Sequence, residues 1–202
     1  MVVQGQMARV PVTARQKFDE AAYFYNGMGG HRRNPIVFPY YLSAFVSALR
    51  SVTFYMQSQY SRDERFAQWY AEKQVEMRAD PVLKLLKDKR DIALHAEPFD
   101  LYFYQGFKFP ERYGDCITTD HLEVKEGRDL DGNVTMTIKV GKDGETEPVE
   151  PRISWHFAED DPLDVMNHCY TGLEKMDAML KELEGLGLVE SPNPFDVPPL
   201  QA

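Results

Sequence analysis

Between residues 13 and 97 the apolar positions recur every three or four residues, the period of helices that each bury one face. Thr13 and Gln16 stand at capping-box spacing ahead of Phe18, Ala21, Ala22, Tyr25 and Met28, which predicts a first helix. The glycines and proline of GMGGHRRNP break it. From about Phe38 to Tyr60 the pattern is strongest. Phe38, Tyr41, Leu42, Phe45, Leu49, Val52 and Met56 form one stripe, and Ala44, Ser47, Ala48 and Ser51 give it a small-residue seam where another helix can pack closely. Ser61 and Glu64 repeat the capping-box spacing and predict a third helix carrying Phe66, Trp69, Tyr70 and Met77. Asp80-Pro81 predicts the start of a fourth, because Asp caps well and proline suits the first helical position. Its apolar face is Val82, Leu83, Leu86, Ala93 and Leu94. Pro98 biases Glu97 away from the helical region, so this helix should end near Ala96.

The period then changes. Phe99 to Phe109 is aromatic-rich and extended in character. Leu122 and Val124, a turn at Asp131-Gly132-Asn133, and Val134, Met136, Ile138 and Val140 read as a hairpin. GKDGETEPVEP reads as an acidic loop and RISWHF as a third strand. Asp161-Pro162 repeats the Asp-Pro start, and Leu163, Met166, Cys169, Tyr170, Leu173, Met176 and Leu180 outline a last helix that ends at the glycines of EGLGL. The expected fold is mainly α: an antiparallel bundle of about five helices with a small antiparallel β insertion before the last one. We expect a single domain over residues 1–202, with helices over about 13–97 and 161–186, the insertion over about 99–158, and a Pro-rich tail at 191–202.

Composition narrows the function classes. The 202 residues suffice for a real core without metals or disulfides, and two cysteines, Cys116 and Cys169, make no disulfide framework and no cysteine zinc site. No apolar run has the length of a membrane span, and the N-terminal stretch lacks the apolar core of a secretory signal, so the expected location is the cytoplasm. The net charge of −9 argues against a general nucleic-acid binder, but it is unevenly spread: residues 1–97 hold 14 Lys+Arg against 10 Asp+Glu, and residues 98–202 hold 9 against 22.

The candidate chemistry lies in KDKRDIALHAEP. On a helical wheel Arg90 falls between Leu83, Leu86 and Leu94, on the apolar face, where its permanent charge requires a partner. His95 lies roughly 140° round the helix from Arg90. It shares its side with Asp91, whose carboxylate could orient the imidazole. One ideal helix would not aim Arg90 and His95 at one point, so either the helix end distorts or the two meet across a two-fold dimer axis. Imidazole can move a proton to or from an oxygen, and a fixed guanidinium stabilises a phosphorane-like transition state. Those are the parts of metal-independent RNA cleavage by the ribose 2′-hydroxyl. By spacing alone, a structural arginine and a helix-ending histidine explain the pattern better than catalysis does.

RDIALH resembles the Arg-x4–6-His motif of HEPN domains, in which a polar residue often follows the arginine. FPYYLSAFVSALRSVTFYMQSQY resembles the long second helix of bacterial HEPN-like proteins, and the Trp-containing and Asp-Pro-started helices follow in the expected order. The resemblance covers roughly residues 13–97, and the last helix more loosely; the β insertion lies outside the minimal pattern. It implies a helical bundle, frequent dimerisation and, in active members, ribonuclease activity of toxin or defence type. Arg90 and His95 then match the motif and Asp91 its polar position. Some toxin members carry a tyrosine two residues after the histidine, which a partner antitoxin modifies; here that position is Glu97.

Two readings follow. In the first the chain is a HEPN-type endoribonuclease without cofactor or metal, with His95 transferring protons, Arg90 stabilising the transition state and Asp91 orienting His95. RNA, a second copy of the chain and a protein partner such as an antitoxin are the expected partners, with no membrane. Arg50, in line with Val46 and Phe54, would face the motif helix and add charge to the phosphate site, and Arg32 and Arg33 would touch the nucleic-acid backbone. In the second the chain is a non-catalytic interaction or ligand-binding module, in which Arg90 and His95 hold a dimer interface or an anion. Asp164 and His168 stand one turn apart, but no second such pair completes a metal site.

Overall fold

Thr13 and Asp80 behave as their sequence context requires. The structure, a computed structural model, describes residues 12–95, 100–108, 122–128, 134–140 and 146–188. It contains five helices: α1 (Ala14–Gly30), α2 (Val37–Tyr60), α3 (Glu64–Ala79), α4 (Pro81–His95) and α5 (Val165–Gly185). The four strands are β1 (Tyr102–Lys108), β2 (Leu122–Arg128), β3 (Val134–Val140) and β4 (Thr146–His156). The fold is mainly helical, with the small antiparallel sheet before the last helix. The expected single domain resolves into two compact units, one within residues 1–99 and 165–202, the other within 100–164.

In the helical unit α1 begins with a complete capping box, Thr13 Oγ1 accepting from the Gln16 amide and Gln16 Oε1 from the Thr13 amide. α1 and α2 are antiparallel. The Ala14 amide donates to Gln59 at the far end of α2, while Tyr41 near its start stacks on His31 and lies so close to Gly27 that a Cβ there would sit 2.3 Å from the ring. The α2 stripe is the core: Phe38, Leu42, Phe45, Val46, Leu49, Val52 and Met56 are all buried. α5 lies against it with Val165, Cys169, Leu173, Met176, Met179, Leu180 and Leu183 turned inward. At Gly172 three helices pack closely, since an added Cβ would meet Leu86 of α4 at 2.6 Å and Leu49 of α2 at 3.2 Å.

Two helix starts differ from expectation. Asp63, not Ser61, caps α3: its carboxylate accepts from the Arg65 amide and pairs with the Arg65 guanidinium, and Ser61 instead closes α2. α5 starts at Val165 rather than at Asp161-Pro162; the Asp161 carboxylate accepts from the Leu163 amide and shapes a turn ahead of the helix.

In the second unit the strand order is β1-β4-β3-β2. The expected hairpin is present with Leu122 opposite Val140 and Val124 opposite Ile138; its turn at 131–133 lies outside the described residues. β4 is longer than the expected RISWHF. It starts at Thr146, inside the stretch read as an acidic loop, and changes partner along its length. Thr146–Val149 pair with β3 and Glu150–His156 with β1. Its two prolines, Pro148 and Pro151, lack the amide a ladder uses, which is why the stretch carries so little strand signal. Trp155 is buried and packs on Phe103 directly across the ladder, ring centroids 4.6 Å apart.

Asp80 ends α3 and starts α4 at once. Its Oδ1 accepts from the Val82 and Leu83 amides, both at 3.0 Å, and its Oδ2 receives Lys175 of α5. Burial disfavours the carboxylate, but the Lys175 and amide hydrogen bonds outweigh it and hold the pKa below the ordinary 3.8. A depressed folded pKa contributes stability above the unfolded value that is lost as pH falls through the folded one. Asp80→Ala should therefore cost about 1–2 kcal/mol in urea unfolding at pH 7. The gap to wild type should close as pH falls below 3.8.

Candidate functional site

A half-open cleft of about 520 Å³ lies between α2, α3 and α4. Val46 and Leu49 of α2, Leu86 of α4 and Met176 of α5 are buried residues that also line it and form its apolar floor. Phe54, Met77 and Leu83 extend that surface. Four cations line it, from three helices: Arg50 of α2, Arg78 in the last turn of α3, and Lys84 and Lys87 in the first two turns of α4. Asp88 is the one carboxylate among the lining residues.

Arg50 is held in place. Its Nη1 donates to Thr53 Oγ1 at 2.6 Å, and its guanidinium lies over the Phe54 ring, 4.4 Å from the centroid. Further along α2, Gln57 donates to the Thr53 carbonyl and to the Tyr70 hydroxyl, linking α2 to α3 along the cleft wall. Arg50, Arg78 and Lys84 form no ion pair among the described residues. That contrasts with Arg15, Lys17, Arg65, Lys73, Lys175 and Lys181 of the same unit, each of which meets a carboxylate. The cations of the cleft are thus left facing open volume where neighbouring surfaces are neutralised.

The motif lies beside this cleft. Asp91 Oδ1 accepts from Arg90 Nη1 at 3.0 Å and Asp91 Oδ2 from Lys87 at 3.1 Å. Hydrogen bonds from Arg90 and then from Lys87 hold the Asp91 carboxyl below the ordinary aspartate value, so it is ionised at neutral pH. Asp91 therefore joins the cleft cation Lys87 to Arg90. The Arg90 side chain is three-quarters buried, one turn beyond Leu86, and its Nε–H has no hydrogen-bond partner among the described residues. His95 is the last residue of α4; its side chain lies outside the described residues.

Of the residues singled out in the sequence, the structure brings Arg90 and Asp91 together and sets Arg50 in the cleft facing α4. Arg32 and Arg33 lie in the turn after α1 and do not line the cleft. The spacing argument missed Arg78, Lys84 and Lys87. On the wheel Lys84 lies well away from the apolar face of Leu83 and Leu86, and Lys87, one turn after Leu83, lies at its border. Only the neighbouring α2 and α3 turn that side into a cleft wall.

Residues 6–98, just under half of the chain, match a family model described as bacteriophage lambda protein ea47. No curated protein and no solved structure matches the chain. The matched segment contains α1 to α4 and every cleft residue except Met176.

A buried Nε–H without a partner is destabilising, and Asp91 compensates only the outer end of the Arg90 guanidinium. Arg90→Met keeps the apolar stem and removes the unpaired donor, so thermal unfolding should occur within a few degrees of wild type or above it. A loss of more than about 2 kcal/mol would mean that Arg90 is a structural arginine.

Proposed function

We propose that the helical unit is a ligand-binding module that holds an anion in the cleft between α2, α3 and α4. The observation that carries this reading is the set of cations without carboxylate partners among the described residues, Arg50, Arg78 and Lys84, gathered from three helices around an apolar floor. Unpaired like charges at one place repel each other and weaken the fold, and an anion that neutralises them binds the folded state selectively. Pre-positioning of Arg50 by Thr53 and Phe54 lowers the ordering cost of that binding. Inorganic pyrophosphate should raise the melting temperature of the full chain in a concentration-dependent way, and high salt should weaken the effect. The Arg50→Gln, Lys84→Gln double variant should keep the fold and lose most of that rise. An unchanged rise in the double variant would remove the cleft from the proposal.

One observation favours a second reading, the HEPN-type ribonuclease. Through Asp91 the cleft is continuous with Arg90, and Arg90 lies on the turn before His95. In this reading an RNA phosphate enters over the cleft cations, His95 transfers protons and Arg90 stabilises the added negative charge. Purified protein would then cut RNA in excess EDTA and leave 2′,3′-cyclic phosphate ends. His95→Ala would lower the rate by about 10²–10⁴-fold with the fold intact. A folded His95→Ala variant that cuts at the wild-type rate sinks this reading and leaves the binding module untouched.

A further inference from the structure

We infer that the ligand of this cleft is an organic phosphate, a dianionic phosphate monoester carried on an apolar chain or ring. The inference rests on the anion-binding reading and specifies its chemistry. Charge is the first argument. Four cations line the cleft against Asp88, and Lys87 is already shared with Asp88 and Asp91. Three full positive charges, on Arg50, Arg78 and Lys84, remain to be met. A carboxylate brings one negative charge and leaves most of that field uncompensated. A phosphate monoester brings about 1.5 to 2 negative charges at pH 7 and three acceptor oxygens, enough to engage cations arriving from three helices. Two of the three are arginines, whose planar forks match phosphate oxygens.

The floor is the second argument. Inorganic phosphate would meet the cations and leave Phe54, Met77 and Leu83, the apolar lining residues that are not buried, in contact with water. A volume of about 520 Å³ is that of a site for a small organic molecule rather than for a bare ion. Methionines such as Met77 and Met176 adapt to the shape of an apolar group. Phe54, half-exposed and carrying the Arg50 guanidinium on its face, stands where charge and apolar surface meet. A ligand that fills this site has its charged end at the cations and its apolar body on the floor.

Three probes separate the two halves of the argument: octyl phosphate, octanoate and inorganic phosphate, each titrated into the full chain by calorimetry. Octyl phosphate should bind at least tenfold more tightly than either of the others. The Arg78→Gln, Lys84→Gln double variant should lose at least tenfold for octyl phosphate and change little for octanoate. Phe54→Ser, at an exposed position that tolerates a polar residue, should weaken octyl phosphate by a larger factor than inorganic phosphate, because inorganic phosphate loses only the seat of Arg50 and octyl phosphate loses apolar contact as well. Equal affinity for octanoate and octyl phosphate would overturn the dianionic head, and equal affinity for inorganic and octyl phosphate would overturn the apolar body. In both cases the cleft would still bind anions. Failure of all three probes, together with pyrophosphate, would overturn the anion-binding reading and this inference with it.

Discussion

The helical unit turns on one close approach. At Gly172 the absence of a side chain lets α5 come within van der Waals reach of Leu86 on α4 and Leu49 on α2 together. A larger residue would have to displace the Leu86 and Leu49 side chains on two other helices, and overpacking of a filled core costs about 1–3 kcal/mol. Leu49 and Leu86 are also floor residues of the cleft, and Met176, one turn after Gly172, completes it. The contact that holds the core together therefore also sets the depth of the cleft.

Charge is sorted around that contact. The cations of α1 and α3 that approach α5 meet carboxylates on its outer side: Arg15 pairs with Asp177 and Glu184, and Lys73 with Glu182. Trp69 donates to the same Glu182, and the Arg65 guanidinium reaches the Leu186 carbonyl at the end of α5. These exposed or half-exposed pairs add little stability one by one. Their effect is to neutralise one side of the bundle. Residues 165–202 add two Lys+Arg and six Asp+Glu to the excess of four positive charges in residues 1–99, so the helical unit is neutral in total. Residues 100–164, with 7 Lys+Arg and 16 Asp+Glu, carry the whole net charge of −9. A neutral unit whose acids are spent against α1 and α3 keeps a local positive surface where α5 contributes Met176 instead of a carboxylate.

Much of this was legible because it is local. Thr13 with Gln16, and Asp80 before Pro81, announce helix starts through hydrogen bonds that span three residues, and the α2 stripe follows from period alone. The Leu122–Val140 register follows from alternation. Asp63 was passed over because Ser61 and Glu64 fit a better-known spacing. The winning interaction is the tie of Asp63 to both the amide and the guanidinium of Arg65, which spacing does not reveal. Asp161-Pro162 resembles Asp80-Pro81 in sequence, but Asp161 spends its carboxylate on the Leu163 amide and the helix waits until Val165. β4 extends into the stretch read as an acidic loop, where Pro148 and Pro151 carry no amide to announce a ladder although each belongs to one. The cleft was illegible for a different reason: Arg50, Arg78 and Lys84 are polar positions on three separate helices, and only packing makes them one surface.

Asp91 decides how the motif and the cleft relate. Its carboxylate is ionised, sits on Arg90 and Lys87, and is thereby committed. A ribonuclease that uses Arg90 on a phosphate must either release that contact or reach the Nε side of the guanidinium, which has no hydrogen-bond partner among the described residues. A binding module needs no such rearrangement, because Arg50, Arg78 and Lys84 form no ion pair among the described residues. Lys87 sits between the two possibilities. An anion that draws Lys87 into the cleft leaves Asp91 to Arg90 alone, tightening that pair and shielding the arginine further. On electrostatic grounds, Lys87 and Arg90 share one carboxylate, so a change in the contacts of either is felt by the other.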